Sequence, residues 1–225
     1  MNGIDHALVL ADGTCAGVEA LDAAWPGWSG GIGWVVAADG GARHAAALGR
    51  RLDLWVGDGD SLGEMGIAEL AAAGIPVRRQ AADKDESDTE LALLAAIEAG
   101  ARRVTILGAL GGARFDHGLA NVWLLADPRL AGCAVRIVDG AARIRLVGPG
   151  RHDLGGRIGD LVSLMPFGGD AGGVTTAGLR YPLRGEPLPL GPSRGLSNVR
   201  DAGDASIELE AGRLLVAETP VTLVG

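Results

Sequence analysis

The carboxylates in the first half of this chain fall in runs. Asp39 opens a DGG sequence, Asp58 and Asp60 sit in GDGDS, Asp83, Asp85 and Asp88 in DKDESD, and Asp116 in the Gly-rich stretch GALGGARFDH. Several like charges gathered in one crevice are unfavourable unless a cation neutralises them. The donors are hard oxygens, with neither His nor Cys clustered among them, so the expected cation is Mg²⁺. Asp58 and Asp60 are two residues apart, and Gly57 and Gly59 permit a sharp loop from which both side chains can turn to one ion. An isolated Asp-Gly turn is more often simply solvated; the other carboxylate loops favour the metal here. In DKDESDTELALL, either Ser87 or Asp88 could cap the helix; the cap is assigned to Ser87 and the metal to Asp88. The Gly-rich stretch joins a strand to a helix. Its exposed amides and the planar fork of Arg114 suit an anion, the alternative being a tight turn with Asp116 as the cap. There is no GxxxxGK[ST], and GGIGW precedes a strand, which excludes a P-loop and a dinucleotide fingerprint. His117 is expected to pack beside the site, His6, His44 and His152 to be structural or exposed, and no Ser–His–Asp arrangement is readable.

These carboxylates need a frame that brings them together. Short apolar runs predict strands at His6–Ala11, Trp34–Ala38, Leu52–Val56, Pro76–Arg79, Val104–Leu107 and Val135–Val138. Between them, helical composition predicts helices at Ala42–Leu48, Glu64–Ala73, Asp88–Ala99 and Asp116–Ala126, with Gly49, Gly74 and Gly100 placed to stop three of them. Repeated βα units predict a Rossmann-like, mostly parallel sheet with helices on its faces. The acidic runs each follow one of these strands. In an open parallel sheet such loops emerge at one carboxyl edge, where α/β folds bind ligands.

After about Asp139 the pattern changes. Gly- and Pro-rich turns separate short strand-like runs at Ile144–Val147, Leu161–Met165, Val174–Thr176, Ala205–Glu210 and Leu214–Glu218, and Arg184–Arg194, with three prolines, reads as a loop. This predicts a smaller all-β domain over 140–225 behind an α/β domain over 1–139.

Composition narrows the function classes. The 225 residues suffice for one large domain or two small ones, and a hydrophobic content of 48% is that of a globular protein. Aromatics make up only 4%, so the core is expected to rest on Ala, Val, Leu and Ile. A net charge of −8 without a basic stripe argues against a nucleic-acid partner. Cys15 and Cys133 are far apart and outside CxxC spacing, so neither a disulfide framework nor a zinc site is expected. No signal peptide and no membrane span are expected, and the expected location is cytoplasmic.

The segments ADGGARHAAALG, LWVGDGDSLGE, DKDESDTELAL and GALGGARFDHGLANVWLL, followed by VSLMPFGG, GGVTTAGLRYPL, the pair Ser197–Asn198 and GRLLV, resemble the thiamine pyrophosphokinase family in order and spacing along nearly the whole chain. That resemblance implies an α/β catalytic domain followed by a β-sandwich-like domain, and a homodimer with each thiamine site near the dimer contact. It implies a nucleotide and phosphate site at Asp39, Gly40, Gly41, Gly111, Gly112 and Arg114, and Mg²⁺ on Asp58, Asp60 and Asp88. Asp116 would arrange metal and substrate, and Thr176, Tyr181, Ser197 and Asn198 would border thiamine within and beyond the segment Thr175–Tyr181. Three positions depart from the family. Gly59 replaces a bulky apolar residue and is expected to loosen the metal loop. Ala113 adds a residue before Arg114. Tyr181 stands where a Trp is usual, offering a smaller π face to a cation.

The implied reaction is attack of the thiamine hydroxyl on the β-phosphorus of ATP with AMP leaving, and either Asp60 or Asp116 as acceptor of the hydroxyl proton. The competing readings are a pyrophosphokinase on the same scaffold that acts on a hydroxymethyl pterin, a non-catalytic nucleotide-binding module, and a metal-dependent nucleotidyltransferase that would release pyrophosphate.

Overall fold

In the computed structural model, which describes residues 4–223, the chain divides into two compact units, residues 1–140 and 141–225. The first is built on six strands: β1 (His6–Leu10), β2 (Ile32–Ala38), β3 (Leu54–Gly57), β4 (Val77–Arg79), β5 (Arg103–Leu107) and β6 (Ala134–Val138). They pair in parallel in the order β6-β5-β1-β2-β3-β4. The six runs predicted as strands are these six. Since β1 lies between β5 and β2, the chain reverses its direction of travel across the sheet beside β1. Ligands collect at such a switch point.

The helices are α1 (Val18–Ala24), α2 (Arg43–Ala47), α3 (Gly63–Ala72), α4 (Asp88–Glu98) and α5 (Phe115–Leu124). The seven-residue α1 was not predicted; its N-cap, Gly17, makes no side-chain cap bond, so no start signal marks it. Gly49, Gly74 and Gly100, each at positive φ, follow α2, α3 and α4. Ser87 caps α4 by accepting from the Glu90 amide at 3.2 Å, and α4 lies across β1, β2 and β3. Composition favours an aliphatic core, yet Trp25, Trp28 and Trp55 all lie in the cluster formed with Leu8, Leu10 and Leu107. Tryptophan can be buried where its indole N–H finds an acceptor. Trp25 donates to the Asp139 carbonyl at 2.6 Å and Trp55 to the Asp39 carbonyl at 2.9 Å.

The second unit holds eight strands: β7 (Arg143–Val147), β8 (Gly150–Leu154), β9 (Leu161–Pro166), β10 (Ala171–Ala177), β11 (Glu186–Leu188), β12 (Asn198–Val199), β13 (Ala205–Leu209) and β14 (Leu214–Thr219). β12-β9-β14-β7 and β11-β10-β13-β8 form two antiparallel layers. Val162, Leu164, Leu214 and Val216 from one layer and Val174, Leu188, Ile207 and Leu209 from the other share one apolar core, the arrangement of a sandwich. Within the span read as a loop, Glu186–Leu188 forms β11. It is an edge strand, which tolerates its proline because one side of the backbone needs no ladder partner. Among the described residues no helix is long and apolar enough to cross a membrane.

Candidate functional site

At the carboxyl edge of the parallel sheet lies a crevice of about 910 Å³. Its floor is set where the loops after β1 and β5 cross. The Gly13 amide donates to the Gly108 carbonyl at 2.8 Å, and a Cβ on Gly13 or Gly108 would lie 2.4 or 2.3 Å from a carbonyl oxygen of the other loop. Only glycine permits that approach. Eight carboxylates line the crevice, against two permanent cations, Lys84 and Arg114.

One wall is acidic and braced. Asp39 follows β2 in the left-handed region, with φ of 41°, and is 3% exposed. The Trp55 indole holds its carbonyl from the core. Its carboxylate accepts from the Ser61 amide at 3.2 Å and the Leu62 amide at 3.0 Å, satisfying donors at the start of α3 that no local side chain caps. Burial raises the Asp39 pKa against those bonds, with the Asp60 carboxyl adding to the rise. Gly57 is required here, because a Cβ on it would lie 2.9 Å from Cβ of Asp39. Asp58 accepts from the Asp60 amide at 3.0 Å, and that bond pulls its pKa down, helped by Lys84. One carboxylate oxygen from each of Asp39, Asp58 and Asp60 lies within 4.8 Å of the others, a spacing that could hold a metal ion. Gly59 adopts φ of 90°, and the Ile67 side chain fills the space a Cβ would take, 2.5 Å from it. The absent apolar side chain is thus replaced by packing from α3 rather than by an open loop.

Asp88, at the first turn of α4, is outside that trio. Its Oδ1 is buried without a hydrogen bond of good geometry and lies 3.0 Å from the Lys84 ammonium, which also lies 3.3 Å from Asp58. Burial raises the Asp88 pKa in spite of this ion pair. Sequence reasoning passed over Lys84. The signal was present: it is the only lysine, the other nineteen of twenty Lys and Arg residues being arginine. Asp12 was passed over as well. It follows β1 as the other aspartates follow their strands, lines the crevice and pairs with Arg43.

The opposite wall is glycine-rich and exposed. Gly111, Gly112, Arg114 and Asp116 line the crevice, and Arg114 occupies the N-cap position of α5, placing Asp116 in its first turn instead of at the cap. Arg114 and Asp116 grip each other through two bonds, of 3.2 and 2.6 Å, which hold the Asp116 pKa down. His117 also lines the crevice. Gly40 and Gly41 do not: a Cβ on either would meet Asp12 at 2.3 Å or the Leu10 carbonyl at 2.1 Å, so they serve close packing beneath the site.

In the second unit a smaller pocket of about 360 Å³ is lined by Leu164, Tyr181, Arg194 and Asn198, among others. Asn198 braces the Tyr181 backbone by accepting from its amide at 3.0 Å and donating to its carbonyl at 2.7 Å, which leaves the Tyr181 ring 64% exposed. Thr176 is buried and accepts from the Leu183 amide at 2.9 Å. Ser197, with φ of 55°, presents its amide to Ser163 Oγ at 3.1 Å. Neither Thr176 nor Ser197 lines this pocket.

Two family models match separate stretches of the chain: the thiamin pyrophosphokinase catalytic domain over residues 31–137 and the thiamin pyrophosphokinase vitamin B1 binding domain over residues 151–214. A curated relative, thiamine pyrophosphokinase of Bacillus subtilis (strain 168), is 32% identical over 143 residues, spanning 63% of this chain and 66% of the relative, just under two thirds of its length. The crystal structure of thiamine pyrophosphokinase from Bacillus subtilis superposes with a TM-score of 0.82 at 25% identity, covering 96% of this chain and 99% of that one. That of a thiamin pyrophosphokinase family protein from Enterococcus faecalis superposes with a TM-score of 0.78 at 28% identity, covering 96% and 98%.

Proposed function

This chain belongs to the thiamine pyrophosphokinase family, and from that premise we propose that it transfers the pyrophosphoryl group of ATP to the hydroxyl of thiamine, giving thiamine diphosphate and AMP. The observation that carries the chemistry is the approach of Asp39, Asp58 and Asp60 within 4.8 Å at the switch-point crevice. Such transfer depends on neutralising charge and aligning the reactants more than on covalent help from protein.

The donor set fits Mg²⁺. All three groups offer carboxylate oxygen, and Asp39, buried with a raised pKa, is a group whose ionised form a cation would stabilise. Asp58 and Asp60 would hold the ion with Asp39 beside them, and Asp88 would join from α4. When bound, Mg²⁺ supplies charge neutralisation to the phosphate oxygens. The loop amides at Gly111–Gly112 and the start of α5 receive phosphate. Arg114, already at the crevice rim, exchanges Asp116 for phosphate oxygen and takes up charge that develops as AMP departs. Asp116, freed from that pair, and Asp60 are the carboxylates available to accept or orient the thiamine hydroxyl proton.

The second unit supplies thiamine recognition in this reading. The exposed Tyr181 ring presents a π face to the thiazolium cation, and Asn198 fixes the backbone that carries it. A homodimer and a cytoplasmic location, where ATP is at hand, belong to the same reading. The exposed stripe Phe115, Leu119 and Trp123 along α5 is apolar surface that self-association would cover.

The test supplies MgATP with either thiamine or a hydroxymethyl pterin and follows AMP. Thiamine-dependent AMP release is the expected result. Release with the pterin alone, or with neither acceptor, would overturn the substrate assignment.

A further inference from the structure

Lys84 stands apart in this molecule. Every other permanently charged basic side chain is arginine, yet the position facing two crevice carboxylates carries lysine. Its side chain is only 13% exposed, and its ammonium lies 3.3 Å from Asp58 and 3.0 Å from Asp88. Asp58 belongs to the carboxylate trio; Asp88 Oδ1 is buried and depends on this one cation to offset its charge. A divalent ion drawn to Asp58 would arrive beside the ammonium, and two cations cannot share that carboxylate without strong repulsion. An arginine fork is planar and fixed by paired bonds. A lysine is a compact charge on a flexible four-carbon stem that can give up one partner and reach another.

We propose that Lys84 is a transferable counter-ion: before a divalent cation binds, its ammonium holds Asp58 and Asp88 together, and when the cation takes those carboxylates the ammonium passes to the phosphates of the nucleotide in the same crevice. The proposal rests on the reading of this crevice as the metal–nucleotide site. Lys84 therefore opposes the metal when the metal is alone and assists it once nucleotide is present. Ala82 and the run from Lys84 to Asp88 line the crevice, so the ammonium has open space to move into.

Opposite signs test this. Calorimetry with Mn²⁺ as the probe ion, and with α,β-methylene-ATP at saturating Mn²⁺, is run on the wild type and on Lys84→Gln. The variant is expected to bind Mn²⁺ alone about tenfold more tightly and the nucleotide analogue about tenfold more weakly, the loss of one charged hydrogen bond. A role confined to bracing the loop would leave analogue affinity unchanged, and that result overturns the proposal, as does Mn²⁺ affinity that fails to rise. A wild type that binds neither probe instead overturns the metal–nucleotide reading beneath it. Lysine-selective ¹³C labelling of the wild type needs no variant, because one lysine gives one side-chain spectrum. Its Cε resonance is expected to shift on adding Mg²⁺ and again on adding the analogue; a resonance that Mg²⁺ leaves in place contradicts the proposal.

Discussion

The two walls of the crevice are made differently. On the acidic wall, Asp39 is buried, its carbonyl is tied to Trp55 and its carboxylate to two backbone amides, while Asp58 is fixed by the Asp60 amide. On the glycine-rich wall, Arg114 and Asp116 are exposed and spend their bonding capacity on each other. In the proposed function the difference separates two tasks. A metal ion would meet carboxylates already positioned by the core, so little ordering would remain to oppose it. Phosphate would require an ion pair to open, which would couple its binding to a local rearrangement and to release of Asp116.

Breaking the braced wall should have the largest effect. Asp58→Asn is expected to lower AMP release by about 10³-fold or more at ordinary Mg²⁺, since it removes a charge from the carboxylate trio. Turnover near wild type would remove Asp58 from the metal site. Breaking the exposed wall should cost less: Arg114→Ala is expected to lower kcat/KM for ATP by about 10²-fold while Mn²⁺ affinity stays as it was. Equal losses of both would merge the two walls into one function. Away from the crevice, Tyr181→Ala should raise the thiamine KM about tenfold and leave the ATP KM nearly unchanged. A matching rise in both would take Tyr181 out of thiamine recognition.

The walls also differ in their response to acid. Burial raises the Asp39 and Asp88 pKa values above the ordinary 3.8, so the folded, metal-free protein holds these protons more tightly than the unfolded chain does. Their contribution to stability is present below that ordinary value and is lost as pH rises through the raised ones. Metal affinity runs the other way, because only the carboxylates bind, and falls as pH drops through the raised values. Asp116 is held low by Arg114, and its contribution is lost only as pH falls through the lowered value. Metal titrations across pH should therefore show Mn²⁺ affinity weakening before the carboxylate range of an exposed Asp is reached; loss confined to that range or below would contradict the burial argument. The smallest expected effect on turnover is that of Trp55→Phe, which removes the bond to the Asp39 carbonyl and leaves part of the indole's buried space empty. A loss of about 2 kcal/mol of stability, measured by denaturant unfolding, is expected from the two together; no loss would show that the core does not brace this wall.

Much of this arrangement was legible in the residues. Strand-like runs followed by acidic loops identified both the parallel sheet and the edge where the crevice lies. What escaped was structure without a local pattern. The short α1 has no capping side chain, β11 and β12 span only three and two residues, and β11 passes through a proline at a sheet edge. The trio itself depends on the left-handed backbone at Asp39, which is set by contacts from β3 and α3 and leaves no mark in the DGG sequence. Reading DKDESD for its acids drew attention to Asp88 and away from the lysine paired with it. The family resemblance implies a nucleotide role for Gly40 and Gly41; neither lines the crevice, and both lie in tight packing against Asp12 and Leu10.

In the proposed reaction the pyrophosphoryl group moves intact from ATP to thiamine. ATP carrying ¹⁸O in its γ-phosphate, incubated with the protein, Mg²⁺ and thiamine, tests it by ³¹P NMR. The label is predicted in the terminal phosphate of thiamine diphosphate, alongside unlabelled AMP. Labelled thiamine monophosphate with ADP, or labelled free pyrophosphate, would contradict it.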